Sequence, residues 1–135
     1  MAYSGFLVKF GDYKIPHSMM SADSYKDVLN TQDLDSFRDS NGVLHREVLE
    51  HIVPKLEFNI PPLKTNEEID AFMGNLRRNY INKKEKNAIV TSYVSEWGDY
   101  ITMEMYLPAS IEFPIYYADE KIIKYNTIRL ACIGY

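Results

Sequence analysis

Hydrophobic and polar positions alternate most regularly between Arg38 and Tyr80. The stretch opens on a turn, Arg38-Asp39-Ser40-Asn41-Gly42, in which Asn41-Gly42 is the pair best suited to positive φ. From Val43 onward, Leu44, Val48, Ile52, Leu56, Phe58 and Ile60 fall on even positions while Lys55, Glu57 and Asn59 alternate with them, the period of a half-buried strand. Arg46 and Glu50 interrupt the apolar face near its start, and Pro54 cannot donate to a ladder, so a bulge, bend or edge position is expected there. After Pro61-Pro62-Leu63, Thr65 and Glu68 have the spacing of a capping box, and Glu67 and Glu68 sit where a helix dipole favours negative charge. Ile69, Phe72, Met73, Leu76 and Tyr80 then form one apolar stripe, with Arg77, Arg78, Lys83 and Lys84 toward the far end, which predicts an amphipathic helix at about 65–82. A stripe of this kind is ordinarily packing.

The flanks read mainly as strands. Phe6, Val8 and Phe10 followed by Gly11-Asp12 and Tyr13-Lys14-Ile15 predict an N-terminal hairpin ended by Pro16. Residues 17–40 lose the pattern and carry Asp23, Asp27, Asp33, Asp35 and Asp39; this is a long acidic loop or arm, or it hides a strand around Tyr25 to Leu29. Ala88 to Ser95, a turn at Glu96-Trp97-Gly98-Asp99, and Ile101 to Leu107 form a second hairpin. Alternate residues Ile111, Phe113, Ile115 and Tyr117 extend further, with Pro114 marking an edge. Ile122 to Ile133 is the last strand, with Ile128, Leu130 and Cys132 on one face and Tyr125, Thr127 and Arg129 on the other. The fold class is α+β, mainly β: an antiparallel β-sandwich or split β-barrel with one flanking helix, expected as a single domain over 1–135.

Composition narrows the function. A 135-residue chain that is 46% apolar suffices for one ordinary core. A formal charge of −4 argues against specific nucleic-acid binding, which normally needs an excess of Lys and Arg. With a single cysteine, Cys132, no intrachain disulfide forms, and its setting is that of a small buried residue. No apolar run is long enough for a membrane helix and no secretory signal opens the chain, so the expectation is a protein made in a cytoplasm. Eleven tyrosines fit surfaces that pack against protein neighbours, or simply strands.

Candidate chemistry is sparse. His45, Glu47 and His51 share a strand face by parity, yet their spacing matches no compact zinc motif. There is no Gly-x-Ser-x-Gly turn and no glycine-rich phosphate loop, so the reading is no enzyme, with no catalytic, cofactor or metal residues. Charge separation is more telling. An acidic segment from Asp23 to Asp39 and a basic one from Arg77 to Lys86 favour head-to-tail contact between subunits if they lie on opposite sides, or attract one another within the chain. The interface candidates are Arg38, Asp39, Arg46, Arg77, Arg78, Lys83 and Lys84.

Four pieces in order carry a family resemblance: Val8 to Pro16, Arg38 to Arg46, the Leu63-Lys-Thr-Asn-Glu-Glu-Ile helix start, and the hairpin leading to the terminal strand. Together they resemble small tail-region structural proteins of long-tailed bacteriophages and prophages, of the tail-tube and distal-tail class. The resemblance implies a virion subunit of a tail, tail tip or baseplate, without catalysis. Its partners would be itself, in a ring with a hexamer favoured, and other tail proteins, with no membrane and no small-molecule substrate. The longer acidic stretch from Met19 to Asp39 departs from the pattern and is expected to serve as an arm that orders on assembly. The other reading is a small cytoplasmic protein-binding or regulatory module of a mobile element.

Overall fold

The computed structural model describes residues 3–30, 33–48 and 53–135. Twelve strands, β1 (Val8–Phe10), β2 (Tyr13–Lys14), β3 (Lys26–Asn30), β4 (Asp33–Arg38), β5 (Leu44–Val48), β6 (Val53–Ile60), β7 (Lys64–Thr65), β8 (Asn87–Val94), β9 (Asp99–Tyr106), β10 (Ile115–Ala118), β11 (Ile123–Tyr125) and β12 (Ile128–Gly134), accompany one helix, α1 (Asn66–Arg78), among the described residues. Every pairing is antiparallel. Seven strands form the main sheet in the order β2-β1-β8-β9-β12-β6-β3, while β10-β11-β7 and β4-β5 make two smaller sheets. The expected α+β, mainly β class is what the chain adopts.

The main sheet follows from parity. Phe10 stands opposite Val90, Val90 opposite Met103, Cys132 opposite Leu56 and Leu130 opposite Phe58, so the apolar positions of successive strands line one face. Ile69, Phe72 and Leu76 of α1 close over that face in a single buried cluster. The sheet does not close into a barrel among the described residues: no ladder joins β2 to β3. Curling nevertheless brings edge strand β3 to the end of β8, where the Tyr25 hydroxyl donates to the Tyr93 carbonyl (3.2 Å) and Asp27 accepts from the Ser95 N–H (2.9 Å) and hydroxyl (2.7 Å).

Both ends of α1 have a side-chain reason. Thr65 Oγ1 accepts from the Glu68 N–H at 3.4 Å, and Lys64 reaches Glu68 at 3.3 Å. The helix stops at Arg78, four residues short of the expected end, because Asn79 turns back to donate its amide to the Asn75 carbonyl (2.9 Å) and accept from the Asp12 N–H (3.2 Å). Lys83 and Lys84 therefore lie in the connector to β8, where Asn82 accepts from the Lys84 N–H.

Two expected strands divide, and one of the two readings of 17–40 is realised. The run from Val43 to Ile60 is two strands in different sheets, β5 and β6; Glu50, His51 and Ile52 of the expected strand lie outside the described residues. In the stretch 17–40 a strand does form near the expected Tyr25 to Leu29: a short 3-10 turn at His17–Met19 is followed by β3, an edge of the main sheet, and by β4, half of a separate hairpin. The terminal run 122–133 is divided between β11, in the small sheet, and β12, because Asn126 leaves the ladder and its N–H donates to the Pro114 carbonyl (2.8 Å).

Candidate functional site

Among the described residues the β4-β5 hairpin pairs with no other strand and forms an arm. Its tip is built by the residues around Gly42. Asp39 Oδ1 accepts from the N–H groups of Asn41 (2.9 Å) and Val43 (3.1 Å), and Asp39 Oδ2 lies 2.9 Å from His45 Nε2. These bonds, His45 first, hold the Asp39 carboxyl below the usual carboxylate range. Arg38 Nη1 donates to the Gly42 carbonyl (2.9 Å), and Phe37 stacks on the His45 ring with centroids 5.0 Å apart. Arg38 and Asp39 thus brace the turn, whereas Arg46 stands exposed on the arm. Three apolar side chains are presented beside these polar ones: Phe37, Val43 and Leu44 are 60%, 55% and 43% exposed.

A second surface lies along α1. Between the helix and the segment after β9 runs a groove of about 1140 Å³. Met73, Tyr80, Ile111 and Phe113 line it, and Arg77, Arg78, Lys83 and Lys86 supply positive charge against one carboxylate, Asp70. Of the sequence candidates, Arg77, Arg78 and Lys83 come together here, while Lys84 is not among the lining residues. Lys86, with its ammonium donating to the Ala109 carbonyl at 3.2 Å, is the cation the candidate set omitted. The position of Lys86 directly before β8 was the available signal, since β8 pairs with β9 and the groove wall follows β9.

The third surface is the β10 edge. Ile115, Tyr116 and Tyr117 are exposed on a strand that, among the described residues, pairs on one side only, with β11. Tyrosines accordingly divide between internal anchors, such as Tyr100 donating to the Phe6 carbonyl at 2.7 Å, and outward residues such as Tyr116.

Catalytic and metal candidates gain no geometry. His45 is engaged with Asp39, and the side chain of Glu47 and all of His51 lie outside what the structure describes. Among the described residues, no three His, Cys, Asp or Glu side chains are grouped to hold a metal, and no helix is long and apolar enough to cross a membrane. Cys132 is buried in the core, and burial pushes its thiol up to about 12, so the nucleophilic thiolate is disfavoured.

A family model described as a family of unknown function, DUF6711, matches residues 1–135. The chain belongs to that family. This DUF6711 member matches no curated protein. It is similar in fold to a chain in the tail of an empty GTA particle, a structure obtained with helical refinement and C6 symmetry: the TM-score is 0.53 at 12% identity, over 99% of this chain and 95% of that one. It is also similar, at a TM-score of 0.45 and 13% identity over 96% of this chain and 83% of the other, to a chain in the cryo-EM structure of the anti-feeding prophage cap that terminates the AFP tube.

Proposed function

We propose that this chain is a structural subunit of a phage or prophage-derived tail, tail tip or baseplate, assembling with copies of itself into rings. The observation that carries the reading is the likeness in fold, over almost the full length of both chains, to a chain of a GTA particle's tail computed with C6 symmetry. That symmetry favours six copies per ring. A role of this kind asks for a stable β core with surfaces left over for neighbours. The arm, the cationic groove and the β10 edge are such surfaces. The protein then resides in the virion tail, and no catalytic step is required of it.

Mass spectrometry and immunogold labelling of purified particles test the reading. The chain is expected in the particle fraction at a fixed ratio to other tail proteins, with label on the tail. A chain recovered free in the lysate and missing from particles overturns it. The exposed β10 edge favours a second reading, a small protein-binding module of a mobile element that captures an extended segment, and that outcome would select it.

A further inference from the structure

Trp97 and the cationic groove stand at opposite ends of one hairpin. Strands β8 and β9 pair from Asn87 with Tyr106 to Val94 with Asp99. At the first end the Leu107 N–H donates to the Lys86 carbonyl (3.0 Å), and Lys86 and Ala109 line the groove. At the other end Glu96-Trp97-Gly98-Asp99 turns the chain, held by the Trp97 and Gly98 N–H groups on the Val94 carbonyl (3.2 and 2.9 Å). Between Asn87 and Val94 the strand advances on the order of 20 Å, too far for the turn to enter the groove of its own chain. The two ends are complementary. Trp97 is 52% exposed, Glu96 and Asp99 beside it are exposed, and no Lys or Arg occurs in the sequence between Lys86 and Lys121. In the groove, four cations face the single carboxylate of Asp70 above an apolar floor, and none of Arg77, Arg78 and Lys83 is ion-paired among the described residues. The helix wall of the groove also carries Gly74, a residue that weakens a helix interior. Among the described residues a Cβ at Gly74 would meet only Arg77 Nη2, at 3.8 Å, so packing within the chain does not ask for glycine there. Its missing side chain leaves room for another backbone to come close.

We infer that the Glu96–Asp99 turn of one copy seats in the α1 groove of a neighbouring copy. The Trp97 indole covers the floor that Met73 and Phe113 help to form, the backbone of the turn passes over Gly74, and Glu96 and Asp99 face Arg77, Arg78 and Lys83. Because turn and groove are different surfaces, the contact is head-to-tail, the kind that closes into a ring when its rotation permits and otherwise continues as a filament. The inference rests on the reading of the chain as a self-assembling subunit and names the surfaces by which it does so. Burial of the indole supplies the affinity, and the opposed charges supply orientation and salt sensitivity.

Fluorescence and charge reversal test it on the full chain. Trp97 is the only tryptophan, so its emission reports this turn alone. In a concentration series the emission should move to shorter wavelength in step with the association that light scattering records. A groove variant, Arg77→Glu with Arg78→Glu, and a turn variant, Glu96→Lys with Asp99→Lys, each place like charges together and are expected to associate at least about tenfold more weakly than wild type. All four substitutions in one chain oppose the charges again, and association should return to within about threefold of wild type. If a reversed variant fails to fold, Gly74→Leu decides the matter. Leucine favours the helix over glycine, so that chain should melt no lower than wild type, while its side chain obstructs the neighbour's turn and weakens association at least about tenfold. A wild-type chain that stays single at high concentration, association without a shift in Trp97 emission, reversed variants that associate like wild type or are not rescued in combination, or a folded Gly74→Leu chain that associates undiminished overturns the inference. Presence in purified particles decides the tail reading separately, so either can fail alone.

Discussion

Gly11 and Asn79 interlock the first hairpin with the end of the helix. Gly11 has φ +62°, and a Cβ added there would stand 2.4 Å from Asn79 Oδ1, the same oxygen that accepts from the Asp12 N–H. The helix end, the hairpin turn and, through the Asn79 amide, the Asn75 carbonyl are thereby held at one point. Gly11→Ala is expected to destabilise the fold by about 2 kcal/mol, combining overpacking with an unfavourable backbone conformation. Urea unfolding measures it, and Asn79→Gly in the same chain should recover part of the loss by removing the obstructing side chain. Equal stability of Gly11→Ala and wild type would refute the contact.

Two phenylalanines should separate folding from assembly. Phe72 on α1 is 2% exposed and Phe37 on the arm 60%. Phe72→Ala is expected to cost about 3–5 kcal/mol of stability, as core truncations do. Phe37→Ala should leave the melting transition of the isolated chain within about 0.5 kcal/mol of wild type, the range for surface changes. Calorimetry on the two variants is the check.

The helix N-terminus offers a smaller effect. The Thr65 hydroxyl caps the Glu68 N–H at a long 3.4 Å, so Thr65→Ala should cost about 0.5–1 kcal/mol, the lower part of the range for lost caps. Thr65→Ser should retain most of it.

The arm tip should be ordered at neutral pH and loosen in acid. The folded Asp39 carboxyl is held below its usual value by His45, Val43 and Asn41. A depressed carboxylate contributes its full stabilisation above the unfolded pKa, about 3.9, and loses it as pH falls through the folded value. Amide exchange at Asn41 and Val43 should accelerate over that acid window, and Asp39→Asn should abolish the change. Exchange that speeds up only on raising the pH beyond its intrinsic dependence would contradict the tip geometry.

Cys132 should report global unfolding. It is buried, and its thiol is pushed up to about 12. Thiol reagents are therefore expected to label the native chain only at the rate of its unfolding, with denaturant accelerating labelling in step with the loss of secondary structure. Rapid labelling under native conditions would place the thiol at the surface.

Local chemistry made much of the fold legible. The Thr65 cap, the stripe of Ile69, Phe72 and Leu76, and the parity of Phe58 with Ile60 or Leu130 with Cys132 are short-range patterns set by helix and strand periods, and the structure retains them. The separation of β5 from β6 was not legible, because alternation is the same whether a strand pairs with β4 or β12. Strand β4 was obscured, and β3 legible only as one of two alternatives near Tyr25 to Leu29, for a related reason. An edge strand or a separate hairpin demands no regular apolar face, and residues such as Lys26 and Asp27 leave the alternation irregular.

The surfaces divide in the same way. The residue sequence by itself determined the turn at Gly42, the acidic and basic blocks, the apolar helix face and the mainly β class, since each depends on neighbours a few positions apart. Only the tertiary structure decided that Arg77 and Lys83 share a groove with Lys86, Ile111 and Phe113, and that Phe37 and Val43 face outward on a hairpin of their own. Those relations depend on which strands pair across long loops, such as Asn87 opposite Tyr106, and on where the helix docks. Pairing of that kind is settled by the joint burial of residues far apart in the chain, which no local period encodes.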